Sequence, residues 1–197
     1  EIGMSYMGLQ ILYGVLNGND DIFCERVFAP APDMEKLMRE NGRELFTLET
    51  LTPVRDLDIL GFTLQYELSY TNLLNMLDLA GMELRSKNRG EEDPVIIAGG
   101  PCAYNPETML DIFTGSDPKE SLDALAEFVD AFLIGDGEEL LEKVCLARKG
   151  CGSKREFLEK ICRYEGVYVP AFYEFVYNED GTVSEIKKLY DDAPDRV

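Results

Sequence analysis

The chain has no histidine and no tryptophan. Without histidine, Ser-His-Asp and Cys-His catalysis are impossible within this polypeptide. So are His-based zinc sites and any cofactor whose metal takes an axial imidazole from this chain. Positive charge is scarce as well: 19 Lys and Arg stand against 38 Asp and Glu, a net charge of −19. Nucleic acid is bound through basic stripes, and no basic run here exceeds two residues, as at Lys154-Arg155. No direct nucleic-acid partner is expected. No apolar run approaches the roughly 20 residues of a membrane span, and no signal peptide is visible, so no membrane partner is expected. Cys24, Cys102, Cys145, Cys151 and Cys162 are odd in number and form neither CxxC nor CxxxCxxC. They read as reduced thiols of a cytoplasmic protein.

What is present is an ordinary globular composition, 45% apolar and 29% charged over 197 residues. That length suits one domain with an appendage. Residues 5–16 carry two apolar stripes, Leu9, Leu12, Tyr13 and Leu16 on one and Met7, Ile11 and Val15 on the other. A helix apolar on both sides is expected to be covered on both. Residues 21–28 alternate as a strand does, ended by Pro30 and Pro32. Asp33 then caps a short helix with Met34, Leu37 and Met38 inward, closed by Asn41-Gly42.

Near-continuous apolar runs at 57–64 and 94–98, and the shorter 130–134, are strands buried on both faces. Helices are expected at 69–80, with Leu73, Met76, Leu77 and Ala80 inward, and at 138–149, with Leu141, Val144 and Cys145 inward. Asn105-Pro106-Glu107 signals another helix start, 114–120 a loop, and 118–128 a further helix. Ser153 and Glu156 make a capping box for a helix over 154–163. After Gly166 the segments VYVP and FYEFVY, the turn at 178–181 and the run TVSEIKKL read as β structure ending in a hairpin, with YDDAPDRV as a linker.

Alternating buried strands and amphipathic helices predict an α/β fold: a mostly parallel sheet of four strands with helices on both faces, plus a C-terminal β-hairpin and linker. Two regions follow, 1–165 and 166–197. The first helix lacks the preceding strand that a doubly wound sheet provides, and the chain enters it from Glu1 rather than Met. A first strand just upstream of Glu1 is therefore expected.

Ligands of open α/β sheets sit at the carboxyl ends of the strands. Three loops share that edge: Thr63-Leu64-Gln65-Tyr66-Glu67, Gly99-Gly100-Pro101-Cys102 and Gly135-Asp136-Gly137-Glu138-Glu139. Their glycines would let a backbone approach a ligand, or merely permit tight turns. Asp136, Glu138 and Glu139 complement a helix dipole rather than form a metal site. Gly150-Cys151-Gly152 is not a dinucleotide fingerprint.

The runs EIGMSYMGLQILYGVLN, ERVFAPAPDME, LDILGFTLQYELSYTNLLNMLDLAG, VIIAGGPCAYNPE and FLIGDGEE resemble the N-terminal, cobalamin-binding-like part of an uncharacterised family of radical S-adenosylmethionine (radical SAM) proteins. GVYVPAFY and the acidic tail resemble the lead into the radical SAM barrel. The resemblance implies a flavodoxin-like, Rossmannoid domain in front of a barrel of the same polypeptide that holds a [4Fe–4S] cluster and S-adenosylmethionine. The cluster motif CxxxCxxC is absent here, so this chain is expected to be accessory rather than catalytic alone. The resemblance places cobalamin against Thr63, Leu64, Gly99, Gly100, Gly135 and Gly137, with no histidine for the cobalt. The alternative is a vestigial docking or structural domain that binds no cofactor. A free-standing flavin protein is disfavoured, because the phosphate-cradling loop after strand one would lie at or before Glu1.

Overall fold

The computed structural model describes residues 5–104, 125–178 and 182–195. A four-stranded sheet runs in the order β1 (Ile59–Thr63), β2 (Val95–Gly99), β3 (Ala131–Leu133), β4 (Val167–Tyr168). β1, β2 and β3 are parallel, with Thr63, Gly99 and Leu133 in register at their carboxyl ends, and β4 is antiparallel to β3. The α/β class and the mostly parallel sheet are as expected. β5 (Tyr173–Tyr177) and β6 (Val183–Lys188) form a separate antiparallel hairpin.

Period-two alternation sorts the strands onto two cores. Leu60, Ile96, Ala98 and Phe132 face one side with helix α3 (Tyr70–Leu79), whose Leu73, Met76 and Leu77 are buried, as is Ala80 just beyond it. Val95, Ile97, Ala131 and Leu133 face the other, under α4 (Gly137–Arg148) and α5 (Lys154–Ile161), which bury Val144, Ala147, Phe157 and Ile161. Cys145 is only half-buried. Helices thus cover both faces, as parallel strands require.

Ser153 caps α5 by accepting from the Glu156 N–H at 3.1 Å, and the Glu156 carboxylate accepts from the Gly152 N–H at 2.7 Å. This is the capping box, with the glutamate reaching one residue further back than the pattern expects.

The expected strand at 21–28 does not form. Asn17 clamps Cys24, its side chain accepting from the Cys24 N–H at 2.9 Å and donating to the Cys24 carbonyl at 3.0 Å. Leu48 N–H donates to the Arg26 carbonyl at 2.8 Å, and Glu49 takes both the Arg26 N–H and its guanidinium. These backbone groups are satisfied locally instead of in a ladder, and Phe23 is left 76% exposed. The fourth place in the sheet belongs to β4 instead.

Helix α1 (Met7–Asn17) buries only Leu16 fully, so its second apolar stripe is not covered: Met7 and Ile11 are exposed. Helix α2 (Pro32–Glu40) starts with Pro32 in its first turn and Ala31, not Asp33, as its cap. Only Met38 is buried, while Met34 and Leu37 are exposed. Polar contacts hold this helix to α3: Arg39 pairs with Asp78 at 2.7 Å and Asn75 donates to Glu35 at 3.0 Å.

Residues 82–93, the polar and charged connection to β2, hold a 3-10 turn at Ser86–Asn88. The expected helix start at Asn105, the loop at 114–120, most of the expected helix 118–128 and the turn residues 179–181 lie outside the described residues. Leu125–Glu127 is a 3-10 turn. The C-terminal stretch is tied back to the main body: Tyr173 donates its hydroxyl to the Pro194 carbonyl at 2.7 Å, and Arg155 stacks over Phe172. Among the described residues no helix is long and apolar enough to cross a membrane.

Candidate functional site

The parallel order of β1, β2 and β3 brings Thr63, Leu64, Gly99, Gly100, Gly135 and Gly137 to one edge of the sheet. Their environments differ. The Thr63 hydroxyl accepts from the Gln65 side-chain amide at 2.6 Å. Leu64 is 1% exposed. Its N–H donates to the Gly99 carbonyl at 2.7 Å and its carbonyl accepts from Cys102 N–H at 3.1 Å. Gly99 lies against the Leu133 carbonyl, 3.4 Å from where a Cβ would sit.

Gly100 has φ +100°, and a Cβ there would fall 2.8 Å from the Leu64 carbonyl oxygen. The chain's own packing therefore demands glycine at this point, with or without a ligand. Gly135 is the contrast. Its φ is +106°, yet nothing lies within 4 Å of its Cβ position, so its glycine serves the turn and leaves open space beside it. Gly137 begins α4 with the Leu12 side chain of α1 3.6 Å from its Cβ position. Asp136 precedes α4 without a side-chain capping bond, and Glu139 pairs with Lys143 one turn along. Both are the ordinary arrangement at a helix start.

Two side chains stand out at this edge. Tyr66, after β1, is 55% exposed, and Tyr104, after β2, is 67% exposed. Their turns adjoin through the Cys102 to Leu64 hydrogen bond. Tyr66 belongs to a loop singled out in the sequence, whereas Tyr104 drew no attention there, because exposure has no sequence signature at a single aromatic residue. Behind them, Tyr70 is 2% exposed. Burial, and then its hydrogen bond with Cys102, push its phenol up to about 12. It is a neutral hydrogen-bonding group of the core, not an acid–base catalyst near neutral pH.

Cobalamin needs a deep slot for its nucleotide tail and a wide face for its ring. Among the described residues, Thr63 is engaged with Gln65, Leu64 is buried, and the direction a Gly100 side chain would take is filled by backbone. Of the six candidate residues, Gly135 is the one whose open side offers the close approach that such a ring would use. These residues do not by themselves make a fitted corrin cradle, and no step through cobalamin is derived. Among the described residues no group of three or more Cys, Asp or Glu converges as metal ligands would. A cleft of about 470 Å³ lies at the opposite end of the strands, between Asp56 and Asp58 entering β1 and Glu91 and Asp93 before β2, with Arg55 and Arg148 across them. It is away from the glycine-rich edge and lined by solvated charge.

The half-buried thiols Cys24 and Cys145 are held neutral near pH 7. Burial, reinforced by the Glu49 charge, raises Cys24 to about 11, and burial with the neighbouring Cys24 raises Cys145 to about 12.

An uncharacterized protein of Methanocaldococcus jannaschii, MJ0966, is 27% identical over 125 residues, which are 62% of this chain and 23% of that protein. The chain thus spans about a quarter of the length of the curated relative it matches. No solved structure matches it. The profile of one family matches residues 8–170, from α1 through β4. This chain belongs to the family described as radical SAM proteins, N-terminal.

Proposed function

We propose that this domain is a non-catalytic docking module of a radical SAM protein, and that the carboxyl edge of its sheet is the platform facing the catalytic barrel of the same polypeptide. The observation carrying this reading is the pair of exposed aromatic side chains, Tyr66 and Tyr104, on adjoining turns of the glycine-rich edge. Exposed tyrosines on a rigid scaffold are typical anchors of a protein interface, because a large apolar ring ends in a hydroxyl that tolerates water. The [4Fe–4S] cluster and S-adenosylmethionine belong, in this reading, to the barrel.

Hydroxyl-radical footprinting tests it. In the full-length polypeptide Tyr66 and Tyr104 should be oxidised several-fold more slowly than in the 1–197 chain. Equal oxidation of both residues in the two proteins overturns the platform.

A corrinoid on the same edge is the second reading, favoured by the open space at Gly135. Its test is the visible spectrum of hydroxocobalamin titrated with the full-length protein. A saturable spectral change in the parent that is lost in Gly135→Val supports it, and a spectrum unaltered by millimolar protein removes it.

A further inference from the structure

We propose that strand β6 is a self-association edge, pairing antiparallel with β6 of a second copy of this chain about a two-fold axis at Ile186. The proposal rests on the C-terminal hairpin alone and goes beyond the docking reading.

All six residues of β6, Val183–Lys188, are exposed, and among the described residues β5 is its one strand neighbour. Leu189 N–H donates to the Phe172 carbonyl at 2.8 Å. That bond fixes the parity of the ladder. By the alternation of antiparallel pairs, Lys187 and Glu185 also turn their backbone groups to β5, whereas Ile186 and Lys188 turn theirs outward. The outward-facing backbone of Ile186, whose side chain is left 55% exposed, lies in the middle of this edge. Such an edge is a template for another strand.

The order of side chains along β6 selects a second copy as the occupant. Pairing about Ile186 sets Ile186 against itself and Glu185 against the second copy's Lys187, the latter twice by symmetry. Moving the axis by one residue puts Glu185 on Glu185 or Lys187 on Lys187. Within the hairpin, Ile186 already lies opposite Phe175, and Lys187 opposite Glu174, with which it pairs at 3.7 Å. The joined sheet of four strands then carries Phe175, Ile186 and their copies as an apolar row on one face. On the other face Glu174, Lys187 and the second copy's Glu185 alternate in sign. Apolar pairs and opposite charges facing each other across strands are what stabilise a sheet. The net charge of −19 opposes self-association in general, and Lys187 and Lys188 offset it locally at this edge. Lysines and bulges also guard edges against pairing. Here the register shift at Val176/Tyr177 lies at one end of β6, where it limits the length of the ladder. Six residues a side make a small interface, so the dimer is weak and concentration-dependent.

Sedimentation equilibrium of the full-length polypeptide tests the edge. Glu185→Lys and Lys187→Glu each turn both cross-copy charge pairs into like-charge pairs, so each alone should weaken the dimer at least about tenfold. Mixed together, the two variants meet with opposite charges at both positions, and the mixed dimer should form about as tightly as that of the parent. Amide exchange of residues 184–188, read by mass spectrometry in the parent, needs no variant and should slow as concentration rises. A parent that stays monomeric up to about 500 µM overturns the proposal. So do single variants that associate like the parent, and a mixture that associates no better than its components. Exchange at 184–188 that is independent of concentration also overturns it, whether fast, which leaves the edge unpaired, or slow, which assigns the edge to another part of the same polypeptide.

Discussion

The two ends of the parallel sheet are built on opposite principles. At the amino ends, Asp130 enters β3 with one carboxylate oxygen accepting from Ile96 N–H at 2.7 Å and the other from Arg89 at 2.9 Å and from Ser86. The Arg89 side chain is 1% exposed and also donates to the carbonyls of Leu84 and Phe128. Specific polar bonds close this end. At the carboxyl ends there are no buried charges among the described residues; the loops there carry glycines, exposed acids at the start of α4 and two exposed tyrosines. The first arrangement suits a fixed structural joint, since a buried ion pair tolerates little change. The second suits a surface that receives something.

Breaking the closed end should have the largest effect. Asp130→Ala leaves the Arg89 charge buried and the Ile96 amide unpaired, at a cost of about 3–5 kcal/mol. Urea unfolding should show it as a large fall in midpoint, and a fall under about 1 kcal/mol would deny the joint its structural role.

The open end separates into two glycines. Gly100→Ala adds both backbone strain and collision with the Leu64 carbonyl, at about 3 kcal/mol, whereas Gly135→Ala adds strain alone, at about 1 kcal/mol. Equal losses in the same unfolding assay would mean that the collision at Gly100 is relieved by a small shift.

The thiols give a pH signature. The Cys24 pKa is raised on folding from 9.0 to about 11. The unfolded thiol therefore ionises first, so its stabilising effect is complete below pH 9 and is lost as pH rises from 9 towards 11. Denaturation midpoints at pH 8 and pH 10.5 should differ in the parent by more than in Cys24→Ala, and identical pH dependence would contradict a thiol desolvated on folding.

The smallest stability effect belongs to the platform. Tyr66→Ala and Tyr104→Ala should each change stability by less than about 0.5 kcal/mol, being exposed. A loss above 1 kcal/mol would show that these rings pack in the isolated domain.

Several features were legible because they depend on neighbours in sequence. The inward face of α3 is written in the spacing of Leu73, Met76, Leu77 and Ala80, and the start of α5 in Ser153 and Glu156. β1, β2 and β3 follow from apolar runs of strand length, and the gathering of Thr63, Gly99 and Gly135 at one edge follows from their parallel alternation with helices. The family resemblance rests on the same local runs.

Other features were settled by groups distant in sequence. Residues 21–28 alternate like a strand, but Asn17 and Glu49 satisfy their backbone before any ladder does. Met34 and Leu37 sit at core spacing on α2, yet Glu35, Arg39, Asn75 and Asp78 hold that helix by polar contacts that leave both residues in solvent. Gly100 reads as a ligand-approach glycine until the Leu64 carbonyl is found where its side chain would be. β4 took the last place in the sheet because the edge of β3 was free to pair with it. Periodicity in a sequence states which side of an element is apolar. Which partner covers that side, and which backbone group fills a given space, is decided only when segments tens of residues apart compete for the same edge.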